Sequence, residues 1–572
     1  MKNTVLLYKE IMSNQWKSVS IYFGINLVLY ILQPIQLYLT QEFVIQLKMH
    51  NVKILLLYII FFTIIIGIKG IISLLLRLIQ KKIQYNISLK YYRQLYSDVS
   101  KCNYLNFNDA YFNTKIEQAK LAIEGKISET IFRISDILGA IVSLCGIGIL
   151  ISRVHIIYLL IMIFMTAIQN IFIWINTVQS VELLRTQNII KRKYDYFVDL
   201  LQERTCAKEI RSYKLYAWME EKRKTIYNKL VENDCNFNKR WMNINFVWGC
   251  VMFSLEGGIY CCLIYQFIHG IIQIENIVVI IESITVFISS IVALLELLTS
   301  FPKNNVFISS LFDIKREADK EEKKVISSCI GMFDDVVLSM KNVSFSYGEK
   351  IVLSNLNLKV KKGEILGIIG ENGCGKSTII NLLIGLYTPK KGCIYKSSKE
   401  IQTVVFQDFS RFLFTLKENI GFGQLEYIND TQLIWNTIEN VGLYGKVKGF
   451  RDEINTKMGK ELYENGRELS GGEWQKLATG RAEFRNADIF IFDEPTSFLD
   501  PIEEKRLVNM LKQIFKGKSV ILVTHRIGLL SLVDRIVYIQ DGDIKEDGTH
   551  TELMMQRAEY YKFYNNQAKW YR

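Results

Sequence analysis

The chain divides by its apolar pattern. Up to about residue 300, long runs of Ile, Leu, Phe and Val recur, and six of them are continuous enough to cross a bilayer. A membrane helix needs about 20 such residues. The six lie near 18–40, 54–79, 132–152, 156–177, 242–268 and 275–300. Beyond residue 336 the apolar runs shorten to strand length, as in Val336–Met340 and Ile489–Phe492, and are spaced by turns and amphipathic stretches. That is the pattern of a soluble α/β domain. The expected layout is a polytopic α-helical membrane domain over 1–300, a charged linker over 301–335, and an α/β domain over 336–572. The first span does not read as a cleaved signal peptide, because it is too long and runs into Gln41, Glu42 and Phe43 with no small-x-small site.

The segments between spans alternate in length and charge. Those around 41–53, 153–155 and 269–274 are short and hold few basic residues. Segments 80–131 and 178–241 are long and basic, from Lys81 and Lys82 through Arg192, Lys193, Lys222, Arg223 and Lys224. The excess of Lys and Arg places both long segments, and with them both termini, in the cytoplasm. Both are helical in pattern, without Pro or Gly clusters.

Composition changes this picture little. The 572 residues are 49% hydrophobic, with a mean hydropathy of +0.14 and a net charge of +13. Such a charge invites a nucleic-acid reading. Much of the excess flanks the apolar spans, so no nucleic-acid partner is expected. The ten cysteines show no CxxC pairing and several fall inside spans. They read as small hydrophobes, not as a disulfide framework or zinc site.

Ionisable residues inside spans are costly and default to function. Glu282, Ser289 and Glu296 recur every seven residues in the last span, on one helix face, with Thr285 close by. Glu256 lies midway along the fifth span and Lys69 within the second. One reading is an acidic cavity, built on Glu256, Glu282 and Ser289, that attracts a cationic or amphipathic substrate. The other is a hydrated lining with no substrate role.

The α/β region opens with chemistry. A short apolar strand, Leu366–Ile369, runs into Gly370, Glu371, Asn372, Gly373, Cys374, Gly375, Lys376, Ser377 and Thr378, after which Ile379 and Ile380 begin a helix. Strand, G-x-x-x-x-G-K-S loop and helix in that order form a phosphate-binding loop. Its glycines let backbone N–H groups curl around phosphates at a helix N-terminus. Lys376 is placed to reach the β- and γ-phosphates of ATP, and the Ser377 hydroxyl to ligate Mg²⁺. Cys374 is a small filler whose modification by thiol reagents would crowd the loop. Further on, the apolar strand Ile489–Phe492 ends in Asp493 and Glu494.

Between loop and acidic strand stands Leu469-Ser470-Gly471-Gly472-Glu473-Trp474-Gln475. The order of loop, LSGG and acidic strand end resembles the ATP-binding cassette (ABC) ATPases. The resemblance implies a role for each matching position. Tyr347 would lie against adenine, a flat ring against a purine face. Asp493 would hold Mg²⁺ through water and Glu494 would act as general base on the attacking water. Gln407 would sense the γ-phosphate and the metal, and His525 would contact the γ-phosphate. Ser470, Gly471 and Gly472 would serve the ATP bound by a second cassette, and Asp500 would link the two sites. Two composite sites imply a symmetric homodimer or a paired homologue; with every part of one site present, the homodimer is favoured.

Six spans followed by one cassette resembles an exporter-type half-transporter of the type IV fold. The segments Tyr104–Phe112 and Ala207–Tyr213 resemble the coupling helices that dock on cassettes in that family. Glu464-Asn465-Gly466-Arg467-Glu468 before LSGG and Glu473-Trp474-Gln475 within it look like the bacterial peptide and lantibiotic exporters, while Phe498 departs from the small residue common at its position. About 17 residues precede the first span, which leaves no room for the leader peptidase domain that some peptide exporters carry. A peptide cargo is expected; the alternatives are a lipid or amphipathic drug, or a membrane ATPase serving as a resistance or sensor module.

Overall fold

A computed structural model describes residues 8–11, 13–50, 52–154, 156–325, 335–397, 401–496 and 501–569. They form two compact units, Met1–Cys102 with Asp109–Asp319, and Asn103–Asn108 with Lys320–Arg572.

The first unit is helical: α1 (Trp16–Lys48), α2 (Val52–Lys101), α3 (Ala110–Leu121), α4 (Ile127–Val154), α5 (Ile156–Gln202), α6 (Arg204–Ser212), α7 (Tyr216–Ile268) and α8 (Ile274–Val325). Among the described residues six helical stretches are long and apolar enough to span a bilayer, one for each apolar run read from the sequence. Large side chains such as Ile66, Ile71 and Leu78 stand exposed on α2. In water they would be a liability, but hydrocarbon solvates them at no cost.

Two apolar cores hold these helices. One gathers Ile83, Ile87, Ile123, Ile127 and Ile131 with Ile308 and Ile314, the other Ile147, Ile151, Met162, Leu263, Ile280 and Phe287. Helices α1 and α4 pack closely, and the sequence shows why. Gly139 and Gly146 lie seven residues apart on one face of α4, against Tyr30 and Pro34 of α1. Small residues let membrane helices approach closely enough for polar side chains to meet. Asn26 donates to Ser135 Oγ (2.9 Å) and Asp136 Oδ1 (3.1 Å), and Ser143 donates to Gln33 Oε1 (2.8 Å).

Residues 301–325, read from their charge as linker, continue α8 instead. Pro302 removes one backbone donor, which ordinarily breaks a helix. Here Phe301, Phe307, Leu311 and Phe312 pack on the first core and carry the helix through. Residues 326–334 lie outside the described residues.

The second unit is α/β. Its strands are β1 (Val336–Tyr347), β2 (Lys350–Lys361), β3 (Ile365–Gly370), β4 (Lys391–Lys396), β5 (Gln402–Val405), β6 (Ile489–Asp493), β7 (Ser519–Val523), β8 (Arg535–Gln540) and β9 (Asp543–Gly548). Its helices are α9 (Lys376–Leu383), α10 (Leu416–Gly421), α11 (Thr431–Asn440), α12 (Tyr444–Lys448), α13 (Gly471–Phe484), α14 (Pro501–Ile514), α15 (His550–Gln556) and α16 (Glu559–Ala568). A three-stranded antiparallel sheet runs β2-β1-β4, and a six-stranded sheet runs β5-β6-β7-β3-β8-β9, parallel except for β9. The central strands β6 and β7 are buried along their whole length. Continuous apolar runs mark them because helices cover both faces of a parallel sheet. Parallel strands all end on one side, so the loops after β3, β5, β6 and β7 open on one crevice, where such sheets bind ligands.

This unit also takes in Asn103–Asn108, of which Tyr104–Asn108 form a short 3-10 turn. Leu105 packs against the core of Leu353, Leu383 and Tyr387, and the Tyr104 ring lies 6.2 Å from that of Tyr387.

Candidate nucleotide site and membrane cavity

The loop after β3 is shaped by its glycines. A Cβ on Gly370 would sit 2.2 Å from Ile539 O, so only glycine lets β3 run this close to β8. Gly375 caps α9 with φ 107°, a left-handed conformation that other residues rarely adopt. The N-terminal amides of α9 thereby face the crevice, a helix end suited to phosphate. Lys376 is 7% exposed and turns back on its own loop, where Nζ donates to Gly370 O and Glu371 O at 2.8 Å each.

Asp493 closes β6 beside this loop. It is buried and bonded to Ser377, and burial pushes its carboxyl up to about 6, with the Ser377 bond opposing the shift. Glu494, one residue on, takes φ 49°, unusual for a residue with a side chain, while its N–H donates to Val523 O at 2.9 Å. Strain of this kind collects at functional sites. Its two carboxylate oxygens have separate partners. Gln407, just beyond β5, donates Nε2 to Oε2 at 2.9 Å, and His525, just beyond β7, brings Nδ1 within 3.0 Å of Oε1. The histidine contact is a close approach, not an aligned hydrogen bond. Three residues spread over more than a hundred positions thus meet at one carboxylate.

The other expected positions sit around this centre. Tyr347 ends β1 with its ring 39% exposed, its hydroxyl 3.3 Å from Thr378 Oγ1 and its edge against Tyr387. Ser470 caps α13: its hydroxyl accepts from Glu473 N, and Glu473 returns a bond to Ser470 N, leaving Gly471 and Gly472 as the first residues of the helix. Asp500 and Phe498 lie outside the described residues. Cys374 is 8% exposed, and burial pushes its thiol up, so little of it is thiolate and reagents should attack slowly.

Residues 353–497 match the family model described as ABC transporter. The chain carries an ABC transporter domain. Its six candidate spans precede that domain on the same chain, the layout of a half-transporter. The chain is 31% identical over 381 residues to the subtilin transport ATP-binding protein SpaT of Bacillus subtilis, covering 64% of this chain and 61% of that one. It is 29% identical over 314 residues to the nisin transport ATP-binding protein NisT of Lactococcus lactis subsp. lactis, covering 52% of each. The matches therefore span only about half to three-fifths of those relatives' lengths. A solved structure of a bacterial Atm1-family ABC exporter with ATP bound shares the fold, with a TM-score of 0.81, 16% identity and coverage of 97% of this chain and 98% of that one.

Two contacts of the ABC domain were not legible in the sequence. Arg481 in α13 donates to Ser410 O (2.8 Å) and Asn419 O (3.1 Å), and its guanidinium lies 4.9 Å over the Phe412 ring. It ties the LSGG helix to the segment that follows Gln407. Gln475 donates to Pro495 O, next to Glu494. Arg481 carries no local signal, since a helical Arg is ordinarily a surface residue, and Gln475 stands in the LSGG stretch with nothing nearby in sequence to point to Pro495.

In the membrane unit the three expected cavity residues separate. Glu282 lines a cavity of about 330 Å³ with Gln33, Gln36, Lys69 and Thr285. Glu256 lies in a different, narrow crevice among Met162, Met165, Met252 and Ile284. Ser289 lines neither, and donates to Val286 O within α8. The common face of α8 does not decide the grouping, because α1 and α2 supply most of the Glu282 cavity. The lining is thus not acidic alone but pairs one carboxylate with one ammonium. Gln33 and Gln36, three residues apart in the first span, were the sequence signal for it.

Proposed function

We propose that this chain is an ATP-driven membrane exporter that works as a dimer, with peptide or a peptide-derived compound as cargo. ATP binding would close two ABC domains on each other, and hydrolysis would reset them, switching the membrane unit between inward- and outward-facing states. The observation that carries this reading is the convergence of Gln407 and His525 on the two oxygens of Glu494, beside the phosphate loop. A carboxylate aligned in this way can orient and deprotonate an attacking water, and phosphoryl transfer asks for little beyond alignment and charge stabilisation.

The roles then divide. Tyr347 packs on adenine, and the loop from Gly370 to Thr378 with Lys376 holds the phosphates. His525 and Gln407 position Glu494 and the γ-phosphate. Ser470, Gly471 and Gly472 face the nucleotide of the second ABC domain. Asp493, Ser377 and Gln407 offer oxygen donors, the chemistry Mg²⁺ prefers. Among the described residues no three His, Cys, Asp or Glu side chains gather to hold a metal by themselves, so phosphate and water oxygens would complete its shell. Mg²⁺ bound there would neutralise charge on the phosphates. The basic long loops support a cytoplasmic ABC domain and cytoplasmic termini. Residues Tyr104–Asn108, packed within the ATPase unit, support a coupling role for that segment.

Vanadate-sensitive ATPase of the purified chain in lipid, wild type against Glu494→Gln, tests the reading. Expected is activity in the chain alone that falls at least about a hundredfold in the variant. Silence in both proteins would sink the homodimer and require a paired half-transporter. Stimulation by lipids but by no peptide would replace the peptide cargo with a lipid.

A further inference from the structure

The Glu282 cavity has a feature that a merely hydrated lining does not need. Lys69 stands mid-span in α2 and donates to Gln36 Oε1; Glu282 stands in α8, and among the described residues no protein group pairs with its carboxylate. A cation and an anion that share one cavity in a membrane protein would gain most by meeting each other. They do not: no ion pair joins them, and Lys69 is held on α1 by an uncharged amide. Gln33 is set in a similar way. Its Oε1 accepts from Ser143, itself backed by Ser290, so its amide N–H groups are left for the cavity. The lining therefore presents one ammonium and amide donors, each oriented by a neighbour, together with one carboxylate that no such bond holds. At about 330 Å³ it lies at the small end of ligand pockets, large enough for one or two residues of a chain.

We infer that Lys69 and Glu282 form a charge-paired cargo subsite that takes a peptide segment carrying a positive and a negative group on neighbouring residues. The segment's carboxylate sits at Lys69 and its ammonium at Glu282, while Gln33 donates to a backbone carbonyl. A cargo with only one of these charges leaves the opposite wall unpaired, and binds more weakly. The inference rests on the peptide-exporter reading but concerns the membrane unit, so it can be tested without ATP.

Three fluorescein-labelled apolar dodecapeptides with blocked termini serve as probes. They differ only in a central pair, Lys-Asp, Lys-Asn or Gln-Asp, and are titrated by polarisation against the full chain in lipid nanodiscs. The wild type should bind the Lys-Asp peptide about tenfold more tightly than either other. Lys69→Gln should remove the advantage of Lys-Asp over Lys-Asn, and Glu282→Gln its advantage over Gln-Asp. The double exchange Lys69→Glu with Glu282→Lys should keep the preference for the paired peptide. A wild type that treats the three alike, or binds none, overturns the subsite, as do variants that weaken all three equally. Glu494→Gln should lose ATPase yet bind the peptides unchanged, so a wild type that discriminates the peptides but shows no ATPase would count against the ATP-driven reading and not against the subsite.

Discussion

Gln407 Nε2 donates to Glu494 Oε2 across 2.9 Å, although 87 positions separate the two residues. The bond exists because β5 and β6 are parallel neighbours, Val405 opposite Phe492, so the residues just beyond both strands emerge side by side. With His525 at the other oxygen, the carboxylate is held from both sides. Gln407→Ala should lower kcat about tenfold and His525→Ala about a hundredfold. ATP affinity should change by less than about threefold in either, since neither residue builds the phosphate loop. Steady-state ATPase together with fluorescent-nucleotide titration checks this; a parallel loss of affinity would assign both residues to ground-state binding.

Lys376 holds the loop carbonyls of Gly370 and Glu371 with the same ammonium that would reach phosphate. Lys376→Ala should therefore weaken ATP binding at least about tenfold, and should also loosen the loop. Titration with a fluorescent ATP analogue reads the first effect, and proteolysis around 370–378 without nucleotide reads the second.

Glu483 in α13 carries a pH signature. Burial pushes its carboxyl up to about 7; Asn440 donates to one oxygen, and the other is buried without a partner. The folded chain keeps a proton that an unfolded glutamate releases near pH ~4.3. Stability from this group therefore falls as pH rises from about 4.3 to about 7, and is level above. Glu483→Gln should remove that slope, gaining about 1 kcal/mol relative to wild type between pH 5 and 8. Thermal unfolding across that range decides it; a gain that does not grow with pH would rule the carboxyl out as the cause.

Gly139 abuts Tyr30 so closely that a Cβ would lie 2.1 Å from the ring. Gly139→Val should destabilise the membrane unit by about 1–3 kcal/mol, the usual penalty for overpacking. Tyr30→Ala costs stability alone but should rescue part of the loss in the double variant. Melting temperatures of the four proteins in one detergent give the coupling, and strict additivity would show that the two residues do not meet in the membrane.

Much of this was legible in the residues. The six apolar runs and the glycine-rich loop each carry a local signal strong enough to read alone, and the LSGG stretch becomes readable by its place between that loop and the acidic strand end. Helix α8 was harder. Its charged end from Lys315 to Lys324 reads as a linker, and only packing of Phe301, Phe307 and Phe312 on the first core carries the helix across Pro302. Glu256 and Glu282 read as one acidic lining, whereas they occupy separate pockets.

By itself the sequence determined what is written in short windows: which stretches are apolar enough to span, where backbone must turn tightly around phosphate, and which acidic residues end a buried strand. Periodicity and turn chemistry act over a few residues, and that is why they survive without a fold. Only the tertiary structure decided which distant residues share a site. Strand order joined Gln407, Glu494 and His525, and close packing of α1 on α4 through Gly139 and Gly146 turned Gln33 to accept from Ser143 in the cavity of Lys69 and Glu282. Such meetings depend on register and helix rotation, which are set by burial summed over whole elements and leave no mark on any single residue.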